Sequence, residues 1–244
     1  MVAQQSADEL AKQTQNPVAS LISVPFQGNW DMGIGSRQTT GTTLNIQPVA
    51  PFALTKEWNV ILRVIMPAVS QPTDTGPRIN GMGDTVTTVF LSPARSGKVI
   101  WGAGPVLLVP TATNNALGTE KFGLGPSVVV LVQPGKWTVG MLWNQIWSVD
   151  GAPDRADVNQ GFFQPFANYN LGDGVSLGAS IEATGDWEAA NDTWTSFLLF
   201  SASKVALLGK RPVNFSVGAG PAFASPSGGA DWKLRLAVVF LFPR

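Results

Sequence analysis

Apolar and polar side chains alternate residue by residue along most of this chain. In 175–184, Val175, Leu177, Ala179, Ile181 and Ala183 share one parity, and Ser176, Gly178, Ser180, Glu182 and Thr184 share the other. In 213–223, Val213, Phe215, Val217, Ala219, Pro221 and Phe223 oppose Asn214, Ser216, Gly218, Gly220 and Ala222. The final run sets Trp232, Leu234, Leu236, Val238, Phe240 and Phe242 against a parity that opens with Lys233 and Arg235. A period of two points successive side chains to opposite faces of a β-strand, so each run predicts a strand with one apolar and one mixed face. Twelve runs are legible, at approximately 29–37, 42–51, 57–68, 83–92, 98–110, 121–132, 136–149, 157–169, 174–184, 193–205, 211–223 and 232–243.

The first 28 residues differ. "ADELAKQTQ" predicts a short helix with Asp8 and Glu9 near its start, followed by "NPVASLISVPFQ", which Pro17 and Pro25 interrupt. The connections between runs alternate in style. "ALTKEW", "PARSGK", "QPGKW", "NLGDG" and "LLGKRP" are tight, while "SQPTDTGPRINGMGD", "PTATNNALGTE", "SVDGAPDRAD", "GDWEAANDTW" and "ASPSGGADW" are mostly longer and more polar. Only "RQTTG", the first connection, breaks the pattern by being short. An even strand number with short turns at one end and longer loops at the other is the plan of outer-membrane barrels. The expectation is an all-β fold: an antiparallel up-and-down transmembrane β-barrel of about 12 strands over residues 29–244, with residues 1–28 as a short, partly helical N-terminal segment.

A soluble antiparallel sheet would also alternate, with its polar side in bulk water. Tryptophan position discriminates between the two. Trp30, Trp58, Trp101 and Trp137 fall beside the tight turns, and Trp147, Trp187, Trp194 and Trp232 beside the longer loops, with Trp143 alone in mid-strand. Two belts of Trp are what two membrane–water interfaces select, whereas a sandwich core would hold its Trp in mid-strand. These eight residues are the expected interface anchors. Turning Arg63 or Arg235 to lipid would cost about 2–4 kcal/mol each near the midplane, so the apolar stripe is the outer face.

Composition narrows the chemistry. Of 244 residues, 16 are basic and 16 acidic, and there is neither His nor Cys. A neutral chain offers no broad basic field for nucleic acid. Without imidazole and thiol, the common triads and the usual zinc ligands are gone, and no metal or cofactor is expected. No apolar run approaches the roughly 20 residues of a spanning helix. The N-terminus lacks a basic n-region and apolar h-region, which fits a mature form whose signal peptide has been removed. Ser–Lys chemistry survives in principle, in "SASK" at 201–204, but no catalytic residue is assigned and an enzyme is not expected.

The mixed face supplies the candidate functional residues. Asp31, Arg37, Arg63, Gln160, Gln164, Glu182, Lys233 and Arg235 would line a partly wet lumen and set charge preference, unless they pair and only brace the barrel. Ile61, Ile65, Phe162 and Phe166 would give that lumen an apolar wall, against which "NPVASLISVPF" could dock as a plug. Five prolines fall inside the runs, three of them in "GAGPV" (102–106), "GLGPS" (123–127) and "GAGPA" (218–222), where Gly–Pro pairs predict bulges or kinks.

In order and spacing, "NPVASLISVPFQGNWDMGIG", "LNIQPVAPF", "WGAGPVLLVPTAT", "LGTEKFGLGPS", "DRADVNQGFFQPF" and "DWKLRLAVVFLFPR" resemble the outer-membrane transporter-like family associated with meta-pathway phenol degradation. The resemblance runs from residue 17 to 244 and implies a bacterial outer-membrane barrel of channel function. The expected partners are outer-membrane lipid, a small weakly polar or aromatic solute in passive passage, and the barrel-assembly machinery that reads a terminal aromatic strand. A closed structural or adhesive barrel displaying its loops is the alternative.

Overall fold

The computed structural model describes residues 6–73, 76–95, 97–191 and 193–243, so residues 1–5 of the expected N-terminal segment lie outside them. One helix, α1 (Ala7–Thr14), precedes fourteen strand segments. These are β1 (Ile22–Ile34), β2 (Thr39–Ile46), β3 (Val49–Ala53), β4 (Trp58–Gln71), β5 (Ile79–Met82), β6 (Thr85–Pro93), β7 (Val99–Val109) and β8 (Lys121–Val132). They continue with β9 (Trp137–Gly151), β10 (Asn159–Gly172), β11 (Val175–Asp186), β12 (Trp194–Leu208), β13 (Arg211–Ala224) and β14 (Trp232–Phe242). Each pairs antiparallel with its neighbour, and β1 pairs with β14 from Ile22 opposite Phe242 to Met32 opposite Trp232. That last ladder closes the sheet. β2 and β3 both pair with β4 and count as one interrupted strand, as do β5 and β6, so fourteen segments make a closed twelve-stranded barrel. Among the described residues no helix is long and apolar enough to cross a membrane, and crossing would fall to the strands.

Three boundaries differ from the periodicity. The first strand begins at Ile22, so 22–28 belong to the barrel and the N-terminal segment ends at Leu21. Pro25 obscured it, although Ile22, Val24 and Phe26 alternate with Ser23, Pro25 and Gln27. The second run breaks at Pro48, which has no N–H to give; instead the Pro48 carbonyl accepts from Val64, and Gln47 N–H donates to the Pro25 carbonyl. Part of the stretch read as a loop at 70–84 is paired, with Ser70 and Gln71 ending β4 and β5 lying against them. The Gly–Pro pairs are not bulges. Register is unchanged on either side of Pro105, Pro126 and Pro221, with only a local gap in pairing.

Those gaps have a shared geometry. A Cβ built on Gly104, Gly125 or Gly220 would stand 1.9, 1.7 or 1.7 Å from the carbonyl oxygen of Val89, Gln145 or Leu198. In each case that carbonyl belongs to the residue opposite the proline. The proline cannot hold it by a hydrogen bond, and it leans onto the preceding glycine, where only hydrogen fits.

Helix α1 carries a capping box: Glu9 N–H donates to Ser6 Oγ at 3.2 Å and Ser6 N–H to Glu9 Oε2 at 2.9 Å. It sits at the tight-turn end of the barrel. Asp8 accepts from the Gly174 N–H at 2.6 Å, Lys12 Nζ donates to the Gly135 carbonyl at 2.6 Å, and Gln15 Nε2 donates to Asn170 Oδ1 at 2.9 Å. Leu10, Ala11, Ala19 and Leu21 pack with Val205 and Leu241 from the inner wall.

Candidate functional site

Alternation, now with a closed wall around it, sorts the candidate residues. Strands β4, β10, β11 and β14 turn Arg63, Gln160, Phe162, Gln164, Glu182, Lys233 and Arg235 into one lumen cavity of about 350 Å³, which Asp31 on β1 and Ile65 on β4 also line. Two further cavities of about 280 Å³ each lie toward the tight-turn end, one beneath Gln13, Asn16, Pro17 and Leu21 of the N-terminal segment and one beside Gln15, Phe166 and Asn168. Gln27, Gln47, Arg63 and Gln164 line both the larger, upper chamber and the first of these. These four side chains therefore stand where the upper chamber and the cavity beneath Gln13, Asn16 and Pro17 meet.

Ion pairs cross the upper chamber. Arg235 holds Glu182 through both nitrogens, NH1 to Oε1 at 2.6 Å and NH2 to Oε2 at 2.7 Å, and its Nε donates to Asn29 Oδ1 at 2.7 Å. Gln164 Nε2 adds a bond to Glu182 Oε1 at 2.8 Å. Both members of the pair are mostly buried, with side chains 17% and 13% exposed. Lys233 lies 3.3 Å from Asp31 and 4.3 Å above the Phe197 ring. Arg63 donates instead to an uncharged acceptor, Gln47 Oε1, at 3.0 Å.

The apolar candidates divide between the levels. Ile61 and Phe166 pack with Phe90, Val129, Leu131 and Leu142 in the cluster that holds Val18 of the N-terminal segment, and Phe162 packs on that cluster while also lining the upper chamber. Ile65 stands apart from that cluster, higher in the wall. Arg37 does not reach the lumen. It is exposed in the β1–β2 turn, where its guanidinium donates to the Thr73 carbonyl.

Trp58, Trp101 and Trp137 start or nearly start their strands at the tight-turn end, where Trp58 and Trp101 meet edge to face at 5.9 Å. Trp147, Trp187, Trp194 and Trp232 lie at the longer-loop end, where Trp187 and Trp194 stack edge to face at 5.1 Å. Trp30 belongs with this second group. Because β1 starts at Ile22, position 30 is near its far end, opposite Leu234 and Thr42.

Several participants carry no sequence signal of their own. Gln27, Asn29 and Gln47 were hidden by Pro25 and Pro48, whose break in the pattern concealed which way their neighbours point. In "SASK", period two sends Ser201 to the lumen beside Gly178 while Lys204 lies on the other face, its Nζ on the Asp173 carbonyl of the β10–β11 turn. Ser201 and Lys204 are therefore not brought together. Among the described residues no His/Cys/Asp/Glu cluster could hold a metal ion.

A closed antiparallel barrel with an apolar outside, Trp at both rims and charges directed inward defines the class: a transmembrane β-barrel. Known structures share its fold. An outer membrane channel from Pseudomonas putida F1 aligns with TM-score 0.68 and 20% identity, over 91% of this chain and 94% of that one. A NanC porin aligns with TM-score 0.56 and 10% identity, over 91% of this chain and all of the other. No protein-family model and no curated protein sequence matches the chain. At those identities the likeness is one of fold.

Proposed function

We propose that the protein is an outer-membrane channel for passive passage of small, weakly polar or aromatic solutes, gated or obstructed at its tight-turn end by residues up to Leu21. The observation that carries this reading is the pair of lumen cavities meeting at Gln27, Gln47, Arg63 and Gln164, with the N-terminal segment across the lower one. The wall suits solutes with an apolar body: Phe162, Ile65, Val86 and Ile146 line the upper chamber beside its amides and ion pairs. The fold shared with an outer membrane channel and a porin supports the reading, as does the resemblance of the motifs to the family associated with meta-pathway phenol degradation. The setting is the bacterial outer membrane, with lipid on the apolar face and assembly through the terminal aromatic strand.

The N-terminal segment is held by contacts of two kinds. Val18, 6% exposed, fills the cluster around Ile61 and Phe90, and polar bonds from Asp8, Lys12 and Gln15 tie α1 to the turns. The test is planar-bilayer conductance of the full chain against a chain beginning at Ser20, a cut that spares β1. Steps in both, larger or more frequent in the shortened chain, are expected. Silence in both, from protein shown to be folded by its altered gel mobility before boiling, would overturn the channel and leave a structural barrel.

A further inference from the structure

Charge bookkeeping around the upper chamber comes out uneven. Three cations line it, Arg63, Lys233 and Arg235, against two carboxylates, Asp31 and Glu182, leaving one positive charge in excess. Geometry decides which cation is the surplus one. Glu182 has both oxygens engaged by Arg235, and Asp31 is paired with Lys233. Among the described residues no carboxylate lies within ion-pair distance of Arg63, whose guanidinium donates one N–H to the Gln47 amide oxygen. A guanidinium has five donors in a flat fork, and the fork matches the two oxygens of a carboxylate.

Position adds to this. Arg63 lines both the upper chamber and the cavity beneath Gln13, Asn16 and Pro17, so a solute moving between those two passes beside it, while the neighbouring lumen cavity is reached past Arg235. Apolar side chains flank it on both sides along the lumen. Ile65 and Phe162 lie above, and Val49, Leu142 and Val239 lie below. Amides of Gln27, Gln47 and Gln164 complete the junction without adding charge.

We infer that Arg63 is an anion subsite, and that the solutes taken by this lumen are small monocarboxylates with an apolar ring or chain. This rests on the proposed channel function and names its solute class. The carboxylate exchanges water for the free edge of the Arg63 guanidinium while its hydrocarbon part lies on Phe162 and Ile65. A second carboxylate on the solute would meet Glu182 and Asp31, which disfavours dianions. Electrostatics in a partly desolvated lumen weigh more than in bulk water, so a guanidinium with no ion-pair partner favours negatively charged solutes.

The test is equilibrium dialysis of radiolabelled benzoate, benzamide and benzylammonium against the full chain in nonionic detergent, with binding to empty micelles subtracted. Benzoate is expected to bind more tightly than its neutral and cationic analogues. Arg63→Gln is expected to weaken benzoate roughly tenfold while leaving benzamide unchanged, the loss of one charge-assisted contact. Arg63→Lys, which keeps the charge and loses the fork, is expected to fall between. Equal affinities for benzoate and benzamide in the unaltered chain, or benzoate affinity indifferent to Arg63→Gln, would overturn the subsite. If Arg63→Gln fails to fold, the comparison of the three ligands on the unaltered chain and on Arg63→Lys decides alone. Conductance tests the channel separately, so a conducting barrel that ignores benzoate loses the subsite and keeps the channel. A silent barrel that binds benzoate through Arg63 does the reverse.

Discussion

Arg235 and Glu182 meet fork to fork, at 2.6 and 2.7 Å, although their strands β14 and β11 are three places apart in the sheet. A contact of that reach cannot run along the wall. It bridges a corner of the lumen and ties the closing strand to the far side of the β12–β13 hairpin. Glu182 is also the acceptor for Gln164 on β10, so three strands converge on one carboxylate.

Replacing Glu182 by Gln should therefore cost more than a surface pair would. It leaves the guanidinium of Arg235 mostly buried and without a counter-charge, and the expected loss is about 3 kcal/mol. Adding Arg235→Gln to Glu182→Gln should restore more than half of it. Urea unfolding of the barrel in detergent, carried through the double-mutant cycle, reads the coupling; simple addition of the two losses would show that the pair is not a unit.

Gly220 is a second sensitive point. An alanine there would place its Cβ 1.7 Å from the Leu198 carbonyl oxygen, so β12 and β13 must part. The expected cost is about 1–3 kcal/mol, with hydrogen-exchange protection lost around Leu198 and Ala222. Gly135, with φ +56° and open space around it, should tolerate alanine sterically and lose only the backbone preference.

At the longer-loop rim, Lys121 and Ser148 donate to Asp157 at 3.2 and 3.1 Å, and these bonds hold its carboxyl below the usual aspartate range. The sign follows from the direction. The contribution of this contact to loop order is complete above the unfolded value of about 3.9 and is lost as pH falls through the lower folded value. NMR titration of the Asp157 carboxyl should give a midpoint below that of an unfolded peptide. Lys121→Ala should raise it; a midpoint unmoved by that change would refute the assignment.

Val18→Asp tests the N-terminal segment without shortening the chain. A carboxylate among Ile61, Phe90 and Leu142 is uncompensated, and a penalty of about 3 kcal/mol would shift the docked segment roughly a hundredfold toward release. More frequent conductance steps and faster proteolysis before Ile22 are expected together. Proteolysis without a change in conductance would separate docking from gating.

How much of this was legible beforehand depended on whether the signal is local. Alternation is a property of neighbouring residues. It showed the strands from β6 to β14 within a few residues, the inward set Arg63, Gln164, Glu182, Lys233 and Arg235, and the tight turns at one end. The acidic Asp8 and Glu9 at the start of "ADELAKQTQ" marked the helix for the same reason. Where proline interrupts the ladder the local signal fails. The start of β1 before Trp30 was hidden behind Pro25, and with it the level of Trp30 and the inward turn of Gln27 and Asn29.

By itself, then, the sequence determined the strand count, the two faces and the sign of each lumen charge, because a pleated strand reads them out residue by residue. Pairing was decided only by tertiary structure. That Glu182 answers Arg235, that Lys233 answers Asp31 and that Arg63 is left with an amide are facts of closure and shear. So is the seating of Val18 in the cluster with Ile61 and Phe90. Gln47 reaches Arg63 from the adjacent segment. Glu182 and Arg235, like Asp31 and Lys233, are far apart along the chain and meet because β1 hydrogen-bonds to β14 and bends the sheet around a common interior.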